Sequence, residues 1–299
     1  MNIVLTGGTG FIGASVVKQI IRDGNKPVLL LRENSKLERL NSTAGVEYLV
    51  YADLMDPSIC KKLLKYNAEC FIHLAWKGVK GRDRNEKYQV TENIPFTLQS
   101  VELATNIGCK QWVGIGSQAE YGNPNRKINE DFPTNPTTLY GKAKLAACWA
   151  SLGLGDALGI ISSWIRVFST YGVDDDPEWF IPYIISQLKT GNSPDLTKCE
   201  QLWDYLFVED AAKAILSIAY SKAGGIFNIG TGNAIPLTEI VNTIKEAFNP
   251  GIEINYGKVP YRPDQVMHLE ADVSKIYNAT GWKYSTGIRE GIYQILSEK

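Results

Sequence analysis

The residues that most constrain this chain are Ile3 to Gly13, IVLTGGTGFIG. Ile3, Val4 and Leu5 form a short apolar run of the kind that makes a buried parallel strand. Gly7, Gly10 and Gly13 follow at three-residue spacing, and Ala14 to Arg22 reads as a helix. A strand that enters a helix through glycines aims the first backbone N–H groups of that helix at one point, where they and the helix dipole hold a phosphate. Side chains at those positions would block the approach of a pyrophosphate or of the helix to the sheet. The spacing is GxxGxxG rather than GxGxxG, so the dinucleotide reading rests on the strand–turn–helix context. A glycine-rich turn without a ligand is the alternative.

The next elements repeat that unit. Pro27 to Leu31 reads as a second strand ending at Arg32, Val46 to Tyr51 as a third, Cys70 to Ala75 as a fourth and Lys110 to Gly116 as a fifth. Pro57 to Tyr66 and Tyr88 to Ile107 read as helices between them. Alternation of this kind implies right-handed crossovers and a doubly wound parallel sheet with its ligands at the C-terminal strand ends. The end of the second strand meets the adenosine ribose, and Arg32, Ser35 and Lys36 stand where a carboxylate would bind the 2′-OH of NAD. A cation and a hydroxyl suit a 2′-phosphate, so NADP is expected over NAD. The alternative is a solvated edge, with Glu33 compensating Arg32 and Lys36. Trp76 to Glu86, WKGVKGRDRNE, is equally compatible with a mobile loop over a substrate and a solvated loop. His73 reads as a core histidine.

Ser117 follows the fifth strand, and Tyr140 and Lys144 follow in LYGKAK. A spacing of four puts the tyrosine and lysine on one helix face. A free phenol with a pKa of about 10 is a poor acid or base at neutral pH. A neighbouring ammonium is expected to lower it, so that Tyr140 exchanges a proton with a carbonyl or hydroxyl oxygen while Ser117 donates to the same oxygen.

Together, TGGTGFIG, Ser117 and LYGKAK closely resemble the short-chain dehydrogenase/reductase superfamily, in particular its extended, sugar-nucleotide branch. The resemblance implies a Rossmann-type α/β domain over residues 1–170, with 203–232 returning to it, and a small substrate lobe from 171–202 and 233–299. It implies cofactor contacts at Gly7, Thr9, Gly10, Phe11, Ile12 and Gly13, at Asp53 and Leu54 beside the adenine, and at Leu74 and Ala75 beside the nicotinamide ribose. Asn93 matches a position that helps hold the catalytic Lys144. Ser117, Gln118, Glu120, Ser169, Trp203 and Arg262 are the implied substrate contacts. RVFSTYG resembles LRxxNVYGP with Ser169 near the usual Asn, and Arg262-Pro263-Asp264 resembles an R-x-D segment whose arginine grips a diphosphate. Trp203 could instead be lobe packing, and Glu120 a surface carboxylate. Asp210 is expected to cap the helix that follows it.

Departures from the family narrow the reaction. The 4,6-dehydratases carry Asp-Glu after the catalytic Ser or Thr, where this chain has Gln118 and Ala119; the 3,5-epimerase/reductases carry a Cys where Ala119 stands. Ketone reduction, alcohol oxidation and 4-epimerisation remain. The expected activity is NADPH-dependent reduction of the C4 ketone of a dTDP- or CDP-linked 4-keto-6-deoxyhexose. The alternatives are an NAD-dependent UDP-sugar 4-epimerase and, from another class, a non-catalytic NADP-binding redox sensor. A homodimer is implied through the helices around Asn93 and Tyr140, with Leu145, Trp149 and Leu152 as an apolar stripe that could equally be internal core.

Composition agrees with this. A chain of 299 residues, 44% hydrophobic, supports one large α/β domain or a domain with a smaller lobe. A net charge of −1 without a basic block points to neither nucleic acid nor a membrane surface. No apolar run reaches transmembrane length, and no basic leader or apolar h-region precedes the first strand. The five scattered cysteines lack metal or disulfide spacing and read as reduced thiols of a cytoplasmic protein. His73 and His268 cannot build a His-rich metal site.

Overall fold

The structure is a computed structural model that describes residues 1–40, 44, 46–248, 250–263 and 265–297. Strand β1 (Asn2–Thr6) runs through the glycine loop into α1 (Phe11–Arg22), and the chain returns as β2 (Lys26–Arg32). Next come β3 (Glu47–Tyr51), α2 (Pro57–Leu64) and β4 (Cys70–His73). The helix expected over 88–107 is broken into α3 (Tyr88–Thr91) and α4 (Asn93–Asn106). Pro95 supplies the reason: its ring would strike the carbonyl four residues back in a continuous helix, whereas the first turn of a new one tolerates it.

Strand β5 (Gln111–Ser117) includes Ser117 as its last residue, and β6 (Arg126–Ile128) is a short excursion before α5 (Leu139–Leu158). Then follow β7 (Ile161–Val167), β8 (Ser169–Tyr171), α6 (Phe180–Lys189), β9 (Leu202–Trp203) and β10 (Tyr205–Phe207). The chain ends through α7 (Val208–Ser221), β11 (Gly225–Ile229), β12 (Ile235–Pro236), α8 (Leu237–Phe248), β13 (His268–Ala271), α9 (Ser274–Thr280) and α10 (Ile288–Ser297).

Seven strands form one parallel sheet in the order β11-β7-β5-β4-β1-β2-β3. Side chains alternate across it. Ile3 and Leu5 enter the core under α1 and α7, while Val4 enters the opposite core with Phe71, Trp112 and Trp164. Parallel strands need crossovers, and the crossover helices cover both faces, which is why the central strands read as unbroken apolar runs.

A third core gathers α6, α8 and α10 around Ile184, Ile240 and Ile292. The two parts of the chain exchange elements. β6 pairs with β13 in a four-stranded sheet, and Ile276 and Trp282 pack into a core of the main sheet. Asp210 does not cap α7, because Phe207 holds the N-cap position. Its buried carboxylate accepts the N–H groups of Ser285 and Thr286, and so fastens the C-terminal segment to α7. Among the described residues the cysteines are free thiols, no helix is long and apolar enough to cross a membrane, and no His/Cys/Asp/Glu group could hold a metal ion.

Candidate active site

The glycine loop is folded tightly on itself. Gly7 has φ +72, and a Cβ there would stand 2.5 Å from the backbone nitrogen of Ala75. At Gly13 a Cβ would lie 2.1 Å from the carbonyl oxygen of Gly7. Gly10 is exposed at the N-cap of α1 and supplies no side-chain cap, and Thr9 is half-buried beside it. The first N–H groups of α1, on Phe11, Ile12 and Gly13, have no partner within the helix. Donors without acceptors, in a cradle that side chains would fill, fit a diphosphate.

Leu74 and Ala75 form the neighbouring strand end, packed against Gly7. Arg32 and Lys36 are exposed at the end of β2, with Ser35 half-buried between them and its N–H donating to the Arg32 carbonyl at 2.9 Å. Asp53 is exposed and accepts the Met55 N–H at 2.9 Å. Leu54, only 1% exposed, buries its side chain in the core and leaves its backbone as the group able to face a cofactor.

Helix α5 carries the tyrosine and lysine, and its start is tied down. The Thr138 hydroxyl accepts the Gly141 N–H at 3.1 Å, the Asn85 side chain accepts that of Leu139 at 3.0 Å, and the Arg84 carbonyl accepts that of Tyr140 at 2.7 Å. The first three donors of the helix are thereby satisfied. The Tyr140 phenol is buried, with the Ser117 side chain near enough to lower its pKa slightly. Lys144 is 4% exposed, donates to the Ile115 carbonyl at 2.6 Å, and stands 3.7 Å from the centre of the Trp76 ring.

The electrostatics differ from the expectation drawn from spacing. Burial raises the Tyr140 pKa, against smaller lowering by the Ser117 side chain and the Arg84 guanidinium. The Lys144 Nζ is 6.0 Å from the Tyr140 ring centre, and burial pushes its own pKa down to about 7. Taking two ionisable groups out of water disfavours both charged forms, and this outweighs their proximity. Tyr140 is therefore a protonated phenol at neutral pH.

Glu120 is neither a substrate contact nor a surface carboxylate. It is 0% exposed and ion-paired at 2.7 Å with Arg166, itself 1% exposed. Its other oxygen accepts from the Trp164 indole at 3.0 Å and from the Ser117 N–H at 2.9 Å. Gly116 makes room for this, since a Cβ there would lie 2.5 Å from the carboxylate. The side-chain hydrogen bonds of Asn93 go to Lys77 and Gln89 rather than to Lys144. Asn93 brackets Lys77, accepting its N–H and donating to its carbonyl, each at 2.9 Å. His73 is a core residue: its Nδ1 lies 2.8 Å from the Thr6 hydroxyl, and burial, with the nearby Lys144, holds its pKa down to about 3.

Among the other substrate candidates, Gln118 is half-buried beside Ser117. Ser169 and Trp203 are joined by an indole-to-hydroxyl hydrogen bond of 2.6 Å. Trp203 packs against two apolar cores, which favours its packing role. Arg262 is exposed on the segment before β13, and Asp264 lies outside the described residues. Sequence reasoning missed Trp76, Arg84, Gln89 and Arg166. The one local signal was a charged residue inside an apolar strand, Arg166 in ISSWIRV.

The model of the NAD dependent epimerase/dehydratase family matches residues 3–230. The UDP-glucose 4-epimerase of Dictyostelium discoideum is 30% identical over 94% of this chain and 91% of its own length. CDP-abequose synthase of Salmonella muenchen is 25% identical over 100% of this chain and 98% of its own. The structure of UDP-N-acetylglucosamine 4-epimerase from Methanobrevibacter ruminantium M1, in complex with UDP-N-acetylmuramic acid, superposes with a TM-score of 0.87 at 26% identity, over 100% of this chain and 99% of that one.

Proposed function

The chain belongs to the NAD dependent epimerase/dehydratase family, and we propose that within this class of sugar-nucleotide enzymes it is an NADPH-dependent reductase of the C4 ketone of a dTDP- or CDP-linked 4-keto-6-deoxyhexose. The observation that carries the reading is the buried Tyr140 phenol, with Lys144 and the Ser117 side chain beside it, at the C-terminal strand ends where the glycine loop also lies. A phenol held protonated by burial is a proton donor, and reduction of a ketone requires one. When bound, the nicotinamide cofactor supplies the hydride to C4. Tyr140 gives its proton to the C4 oxygen, Ser117 orients that oxygen by a hydrogen bond, and Lys144 supplies positive charge behind the phenol. Phe11, Ile12 and Gly13 offer backbone donors to the cofactor diphosphate, and Arg32 with Ser35 and Lys36 offers a site for a 2′-phosphate. The sugar nucleotide would lie between this edge and the lobe of 171–202 and 233–299. Dimerisation would use α4 and α5, where Trp149 is 61% exposed.

The test is oxidation of NADPH and NADH with dTDP- and CDP-4-keto-6-deoxyglucose generated in place by a 4,6-dehydratase. NADPH consumption well above NADH supports the reading. Tyr140→Phe should lower kcat by roughly 10²- to 10⁴-fold and spare NADPH binding; retained turnover refutes the assignment. A second reading, a UDP-sugar 4-epimerase, is favoured by the names of the relatives in Dictyostelium and Methanobrevibacter. It predicts interconversion of UDP-hexoses with no net NADPH consumption.

A further inference from the structure

The lysine of the reacting pair is held by a residue outside the Ser–Tyr–Lys set. Trp76 lies just past β4, after Leu74 and Ala75, and its ring centre is 3.7 Å from the Lys144 Nζ. The same indole meets the Tyr140 ring edge-on, at 6.1 Å between centres and 86° between planes. One direction of the ammonium is taken by the Ile115 carbonyl and another by the indole face. A cation over an aromatic face in a desolvated site is attracted by the ring quadrupole.

The indole is itself fixed. Its N–H donates to the Gln89 side-chain oxygen at 2.8 Å, and the Gln89 amide nitrogen donates to the carbonyls of Gly78 and Asp83 at 2.5 and 3.0 Å. Asn93 donates to the same Gln89 oxygen at 3.1 Å and brackets the Lys77 backbone. Gln89 and Asn93 are both buried, and their hydrogen bonds tie the loop after β4 to the helices beneath it at Lys77, Gly78 and Asp83. Asn93 therefore reaches Lys144 through Gln89 and Trp76.

We infer that Trp76 is a positioning residue that holds the Lys144 ammonium by its indole face, and that Gln89 is the anchor that aims the indole. The inference rests on the reading of Tyr140 and Lys144 as the reacting pair. The charged and titratable groups facing Lys144 are Glu120, neutralised by Arg166; Tyr140, one turn earlier; and neutral His73 from β4. Arg84 lies beyond the Tyr140 ring at 5.4 Å, and Cys148, a turn further along α5, faces Glu120 and Arg166. None of these changes when the indole is fluorinated.

The test replaces Trp76 with mono-, di- and trifluorotryptophan, which weaken the π face with little change of volume. Lys144 is titrated by ¹³Cε-lysine NMR of the full chain, its signal identified by loss in Lys144→Arg. The expected result is a stepwise fall of the Lys144 midpoint, by about one pH unit over the series, with the alkaline limb of the kcat profile moving by the same amount. Gln89→Leu, which keeps the tryptophan but removes its anchor, should also shift the midpoint. An unchanged midpoint across the fluorinated series overturns the inference even if the protein is an active reductase. An active Tyr140→Phe protein would instead refute the reductase reading and leave the lysine titration to be judged on its own.

Discussion

Replacing Glu120 with Gln probes the support beneath the site. The carboxylate is fully buried and receives hydrogen bonds from three donors, Arg166 Nε, Trp164 Nε1 and the Ser117 N–H. A glutamine offers one oxygen, so its NH₂ group must face at least one of those donors, and the Arg166 guanidinium loses its counter-charge. Arg166 already has one buried nitrogen, Nη1, without a partner. Removing one member of a buried ion pair costs about 3–5 kcal/mol, far more than the pair contributes net, because the remaining charge is stranded. At about 2 °C per kcal/mol for a chain of this size, the melting temperature should fall by roughly 6–10 °C. Circular dichroism melts of Glu120→Gln and the parent at pH 7 measure this directly. A melting point within about 2 °C of the parent would refute the claim that this pair is desolvated and interdependent.

Three further outcomes follow from the same geometry. Gly13→Ala places a methyl against the backbone of Gly7 and Gly8, which cannot yield, so NADPH affinity measured by calorimetry should fall roughly tenfold or more. Arg32→Asp should raise the KM for NADPH and lower that for NADH, moving their kcat/KM ratio by roughly tenfold or more in steady-state assays; an unchanged ratio would show that Arg32 does not read the 2′-phosphate. His73, with its pKa near 3 when folded and about 6.5 when unfolded, makes the unfolded chain bind the extra proton between those values, so stability is lost as pH falls through that window. His73→Asn should remove about 3 kcal/mol of the loss between pH 7 and pH 4, read from urea midpoints; identical acid limbs would contradict the buried neutral imidazole.

The parts of this protein that were legible in the sequence are those decided within a few residues. An apolar run, three glycines and a helix fix the β1–α1 turn, since only glycine fits where Gly7 and Gly13 press on backbone. The four-residue step from Tyr140 to Lys144 is a property of any helix and put both on one face. Alternating strands and helices implied the parallel sheet, and periodicity placed its strands within a residue or two. Pro95 breaks the helix by an equally local rule, because its ring would strike the carbonyl four residues back.

What only the tertiary structure decided is set by groups brought together from separate strands and loops. Glu120, in the turn after β5, pairs with Arg166 on β7, Trp76 covers Lys144 from the loop after β4, and Asp210 is used by Ser285 and Thr286 rather than by its own helix end. The protonation of the site belongs here too. Spacing suggested that Lys144 would lower the Tyr140 pKa, but a pKa sums desolvation and every nearby charge. Here the packing around α5 removes the water from both groups, which keeps the phenol protonated and brings the lysine to about 7.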